Sequence, residues 1–135
     1  MEVNYRIFKD RNFFIQKYKG NWSNKDFENL LKSLVNDPDW KFVKIGLTDL
    51  REVNFEQEDI NNILTAANIR KEFMQEMPHD VLLVNKPMST AMVHLYTEEF
   101  KKPNQYIYCS SVSHAIKKLE LSETKEEIEN ILKDL

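Results

Sequence analysis

The feature that most constrains this chain is an apolar period that changes repeatedly between that of a strand and that of a helix. Val3, Tyr5 and Ile7 alternate within residues 3–9, and residues 13–18 form an apolar-aromatic run. The polar break Asp10-Arg11-Asn12 lies between them, so the pair predicts a β-hairpin, with Gly20 closing it. Ser23 then has the position of a helix N-cap, with Asp26 three residues on. Phe27, Leu30, Leu31, Leu34 and Val35 follow at i, i+3, i+4, i+7 and i+8, one face of a helix. Asp37-Pro38-Asp39 ends it, because a proline cannot continue the hydrogen-bond ladder.

Residues 42–50 are apolar enough for a central strand, which gives out into charge in the stretch LTDLREVNF. The alternation then repeats: helix over 56–75, strand 81–85, helix 89–101, strand 105–109, helix 111–120 and a last helix 123–134. Met77-Pro78, Lys86-Pro87 and Lys102-Pro103 fall at the breaks. A hairpin followed by βαβαβα predicts an α/β fold with a mixed five-stranded sheet. Right-handed crossovers would place helices on its faces.

At 135 residues the chain is expected to form a single domain over 1–135, large enough to bury a core unaided. Two glycines leave no Gly-rich phosphate loop, which excludes P-loop and Rossmann nucleotide binding, and no other cofactor motif is present. A net charge of −3, with Lys and Arg scattered among acids, argues against nucleic acid as a partner. One cysteine cannot form an internal disulfide. The opening residues MEVNYRIFKDRN have no apolar core of signal-peptide length, and no stretch approaches membrane-spanning length. A cytoplasmic location is the expectation.

Three stretches carry a resemblance: FVKIGLTDLREVNF, the NDPDW before it, and YIYCSSVSHAIKKL near the end. With the element order, they make the chain resemble the STAS or SpoIIAA-like superfamily, the fold of bacterial anti-sigma-factor antagonists, over residues 3–120. The nearest likeness is to small bacterial STAS-like proteins of the Bacteroidetes type. The resemblance implies a non-enzymatic regulatory or protein-interaction domain that meets its partner through the second helix, with Glu56, Glu58 and Asp59 on that surface. It departs from the family where a phosphorylatable serine would open that helix. Glu56-Gln57-Glu58-Asp59 stands there instead, so phosphorylation-controlled switching does not carry over. Acids at a helix start also have a plain role, complementing the helix dipole.

For chemistry, the carboxyl ends of parallel strands are the expected place. Asp49 and Arg51, Asn85 and Lys86, and Ser110 and Ser111 are predicted to meet there. Arg51, Lys86 and the serines would hold a carboxylate or phosphate, and Asp49 would orient Arg51. The same residues also read as an ion pair and helix caps with no ligand. Cys109, with His114 five residues on, invites comparison with a nucleophile and base, although a lone strand cysteine more often packs as a small hydrophobe. His79, His94 and His114 have no metal-ligand spacing. Met74, Met77, Met88 and Met92, with Phe73, Tyr96 and Phe100, read either as core or as the lining of an apolar pocket. A small-molecule or lipid carrier or sensor is therefore the alternative function, taking an acidic or apolar ligand. Oligomeric state is open between monomer and homodimer.

Overall fold

A computed structural model describes residues 1–74, 76, 78–100, 102 and 105–135; Met77 and Pro103, named above, lie outside the described residues. Its strands lie side by side in chain order: β1 (Glu2–Phe8), β2 (Phe13–Asn21), β3 (Ile45–Asn54), β4 (His79–Leu83) and β5 (Tyr106–Cys109). β1 and β2 pair antiparallel and every later pair is parallel, the mixed sheet expected from the sequence.

Helix α1 (Asn24–Asn36) joins β2 to β3, α2 (Asp59–Phe73) joins β3 to β4, and α3 (Pro87–Glu98) joins β4 to β5. The strand order never reverses, so crossovers of one hand all fall on one side of the sheet. All three helices share one core there, with Tyr18, Leu50, Leu82 and Tyr106 of the strands. The other side is covered by α4 (Val112–Leu119) and α5 (Lys125–Lys133), packed on Phe13, Ile15, Leu47, Val81 and Leu83. Among the described residues no helix is long and apolar enough to cross a membrane.

Several boundaries differ from the periodicity, each for a local reason. Gly20 does not close the hairpin; it lies within β2, at φ 95, where a side chain would be strained. The hairpin turns instead through a short 3-10 segment, Lys9–Arg11, and the left-handed Asn12. Trp40–Phe42 is a second 3-10 turn, so Phe42 is 40% exposed and β3 starts only at Ile45. Gly46 of β3 has no side chain because the Phe14 ring lies across it: a Cβ would come within 2.0 Å of a ring carbon.

The largest correction concerns LTDLREVNF, read above as a strand end. β3 runs on to Asn54, and Asp49 and Arg51 lie in mid-strand. Lys17 pairs with Asp49 but Lys19 pairs with Glu52, so β3 carries one extra residue against β2. Such a bulge reverses the alternation of faces. Leu50 and Val53, three apart, consequently enter the same core. The charges of Asp49, Arg51 and Glu52 are what made the strand look finished. Likewise Pro87, at the first helical position, starts α3 two residues before the expected 89, and Ser89 is buried inside the helix.

Candidate functional site

The strand-end candidates are engaged with one another or exposed. Arg51 donates from Nε and Nη2 to the two carboxylate oxygens of Asp49, each at 2.9 Å. Its Nη1 and Nη2 also reach Glu129 of α5, at 3.0 and 3.2 Å. Both edges of the guanidinium are filled by carboxylates, and Asp49 is 1% exposed. Hydrogen bonding to Asp49 raises the pKa of Arg51, and Arg51 in turn holds Glu129 low. This network ties β3 to α5 and leaves one Nη1–H of the five guanidinium donors, with no paired edge for an anion.

Asn85, Lys86 and Ser110 are exposed, with Lys86 Nζ 3.5 Å from Asn54 Oδ1. Ser111 caps α4 by accepting from the His114 backbone N–H at 3.2 Å. The Cys109 thiol donates to the Ser111 carbonyl at 3.4 Å, not to His114, and burial raises its pKa, which disfavours the thiolate a nucleophile needs. His94 meets Tyr108 at 3.1 Å on the surface. Glu56 and Glu58 are exposed at the start of α2. Asp59 is folded back, accepting from the Glu56 backbone N–H at 2.9 Å.

A different set of residues converges beneath α1, α2 and α3. Gln16 of β2 and Thr48 of β3 are register partners, and Asp80 of β4 lies beside Gly46 one strand further. All three side chains are buried and point to the three-helix face. Gln16 Nε2 donates to Thr48 Oγ1 at 2.7 Å, and the Thr48 hydroxyl donates to the Asp80 carboxylate, 2.8 and 3.1 Å from its two oxygens. On α2 the buried positions are Ile63, Ala66, Ala67 and Arg70, the i, i+3, i+4, i+7 stripe of a core-facing helix with an arginine in its last place. Arg70 is 2% exposed, and its guanidinium lies 5.2 Å from the centre of the Tyr106 ring.

These groups border a cavity of about 30 Å³. That exceeds the ~10–15 Å³ needed for one water. Its walls are Tyr18, Phe27, Leu50, Ile63, Leu82, Met92, Val93 and Tyr96, all buried. Trp22 and Phe55, just past the ends of β2 and β3, are the only lining residues not buried; their rings stack at 5.4 Å. They form the rim nearest solvent, where a gate would stand, at the carboxyl ends of the strands, while the polar groups lie farther down the sheet. Of the methionines, Met92 lines this cavity, Met74 lies in a separate groove beside Trp40, and Met88 is 42% exposed.

What distinguishes the cavity is unmet hydrogen-bonding capacity. Arg70 Nε and Nη2, Gln16 Oε1 and the Tyr106 hydroxyl, the last outside the cavity lining, are buried without a well-formed hydrogen bond among the described residues, although the Tyr96 and Tyr106 hydroxyls lie near enough to Arg70 for its N–H groups to oppose the rise in their pKa. Each such group costs about 1–3 kcal/mol, more when charged. Burial opposes the charge on Arg70, but the acidic groups around it, Asp80 among them, outweigh that and keep it protonated. Burial pushes Asp80 up to about 6 even though Arg70 and the Thr48 hydroxyl both pull it down. Burial likewise raises Tyr18 and Tyr106, and Tyr96 to about 12, so the tyrosines stay neutral.

The sequence did carry a trace of this site. Gln16 inside FFIQKY, Thr48 inside IGLTDL and Asp80 before VLLV are polar residues within apolar strands, and Arg70 completes a buried helical stripe. Nothing local indicates that the four face one another. No protein-family model matches the chain, and no curated protein matches it.

Proposed function

We propose that this chain is a non-enzymatic small-molecule-binding domain, a carrier or sensor that holds its ligand between the sheet and the α1–α3 face. The carrying observation is Arg70, a buried guanidinium with Nε and Nη2 unpartnered beside a cavity. A buried charge with open donors is costly to keep in a fold that needs only to be stable. The strand-end site gains no such support, since both paired edges of its arginine are taken by carboxylates. The STAS-like resemblance remains compatible with this reading.

Native mass spectrometry of freshly purified protein tests it. A small molecule should accompany the folded chain and be absent from Trp22→Ala or Met92→Trp protein, in which the gate or cavity is altered. Bare mass, together with no thermal shift in a screen of small acids and apolar compounds, would sink the reading.

The second reading, a partner-binding surface on α2, draws on the exposed Glu56, Glu58 and 39%-exposed Ile60 at its start. The same helix carries Ile63 and Arg70 into the cavity, so a partner docked there would sense an occupied pocket.

A further inference from the structure

Resting on the ligand-binding reading, the pattern of open atoms narrows what the ligand is. Nε and Nη2 form the side-on edge of a guanidinium, two parallel N–H groups spaced for both oxygens of a carboxylate. Those are the Arg70 nitrogens left open, whereas in Arg51 that edge is taken by Asp49. Elsewhere in the lining the open group is an acceptor, Gln16 Oε1. Apart from Thr48 and Asp80, which bond each other, the remaining lining is aliphatic and aromatic.

Charge and size remove the alternatives. Among the described residues Arg70 is the one cationic residue in the lining and Asp80 the one carboxylate, so a doubly charged phosphate would meet a single cation and an opposing acid. An ammonium would meet Asp80 but would also bring its charge against Arg70, while leaving the open N–H pair unmet. A monoanion satisfies the pair with that single cation and meets Asp80 with half the charge of a dianion. The cavity of about 30 Å³ is too small for an aromatic ring unless Trp22 and Phe55 part, so binding has to move the gate.

We infer that the pocket takes a small aromatic or aliphatic monocarboxylate, its two oxygens on Nε and Nη2 of Arg70, a neighbouring hydroxyl on Gln16 Oε1, and its apolar body behind Trp22 and Phe55. The chain has two tryptophans, so Trp40→Phe leaves Trp22 as the only indole, and its fluorescence reports the gate.

The experiment titrates that protein with phenylacetate, phenylacetamide, phenethylamine and inorganic phosphate, which share or lack the ring and differ in charge. Phenylacetate should change Trp22 emission and bind roughly tenfold or more tightly than the amide, the scale of a charge-assisted pair. Mandelate, which adds the hydroxyl, should bind a few-fold tighter still. Arg70→Met should erase the preference for acid over amide while leaving the protein at least as thermostable. Arg70→Lys keeps the charge without the side-on edge and should fall between; it decides the matter if the methionine variant does not fold.

Equal binding of acid and amide, or preference for the amine, overturns the assignment of Arg70 while leaving a binding pocket. Phosphate binding as tight as phenylacetate overturns the ligand class. If no probe binds and native mass spectrometry finds no companion molecule, the pocket reading fails as well.

Discussion

The two faces of one sheet are built to opposite rules. Beneath α4 and α5 the strands contribute Phe13, Ile15, Leu47, Val81 and Leu83, with Cys109 at the edge, and charged groups there are paired, as Asp49, Arg51 and Glu129 are with one another and Lys17 is with Glu52. Beneath α1–α3 the same strands contribute Gln16, Thr48 and Asp80, and the helix above adds an arginine that nothing neutralises directly. One face spends its residues on close packing and paired charge. The other tolerates a cavity and open polar atoms, and such tolerance in a fold usually accompanies binding. The difference shows why two arginines of one small domain are not equivalent: one holds structure together, and the other is held ready by it.

The largest effect that would test the contrast is Leu47→Ala on the close-packed face. It should cost about 3 kcal/mol, within the usual 2–5 range for a buried leucine. Leu50→Ala, bordering the cavity, should cost less, roughly 2 kcal/mol, because it enlarges a space that water can enter. Urea denaturation of both variants decides it, and equal losses would mean that the two faces are packed alike.

Next comes pH. Asp80 has an ordinary value of 3.8 and about 6 in the fold, raised by burial. Between those values the folded chain binds more protons than the unfolded one, so this residue lowers stability as pH rises through that window. The full effect is on the order of 3 kcal/mol. Glu129, held low by Arg51, acts with the opposite sign: its contribution is present above the ordinary carboxylate range and fades as pH falls. Asp80→Asn should flatten the first slope alone, as followed by denaturation at a series of pH values. An unchanged slope would show that Asp80 ionises normally.

The arginines give the third comparison. Arg51→Met leaves Asp49 buried and unpaired and should cost about 2–4 kcal/mol. Arg70→Met removes a buried charge that lacks a direct partner and should be neutral or stabilising by about 1 kcal/mol. Thermal and chemical denaturation read both, and a large loss in the second variant would make Arg70 a structural residue. The smallest change belongs on the surface. Glu58→Lys should alter stability by no more than about 0.5 kcal/mol, yet weaken capture of any partner that docks on α2; undiminished capture would move the partner surface elsewhere.

Much of the architecture was legible from residue order. The Ser23 cap, the stripe from Phe27 to Leu34 and the Asp37-Pro38-Asp39 stop act within a few residues of themselves, so local reading succeeds. It failed where distant strands intervene. The bulge at Leu50-Arg51 exists only because β2 lies alongside β3, and the charges of Asp49, Arg51 and Glu52 imitated a strand ending. The site fared worse. Asp49 and Arg51 were correctly paired two residues apart, but Glu129, 78 residues beyond Arg51, fills the remaining edge and closes the site that the pair suggested.

By itself, then, the sequence determined the kind and order of the elements, and with them a mixed sheet with helices on its faces. Hydrophobic period, caps and proline are short-range properties that survive in any context. Tertiary structure alone decided which polar groups are satisfied. That depends on what register and crossover bring opposite: Gln16 beside Thr48, Asp80 one strand over, and Arg70 laid above them with two donors open. The desolvation that makes those donors costly, and so informative, does not exist until α2 closes over the sheet.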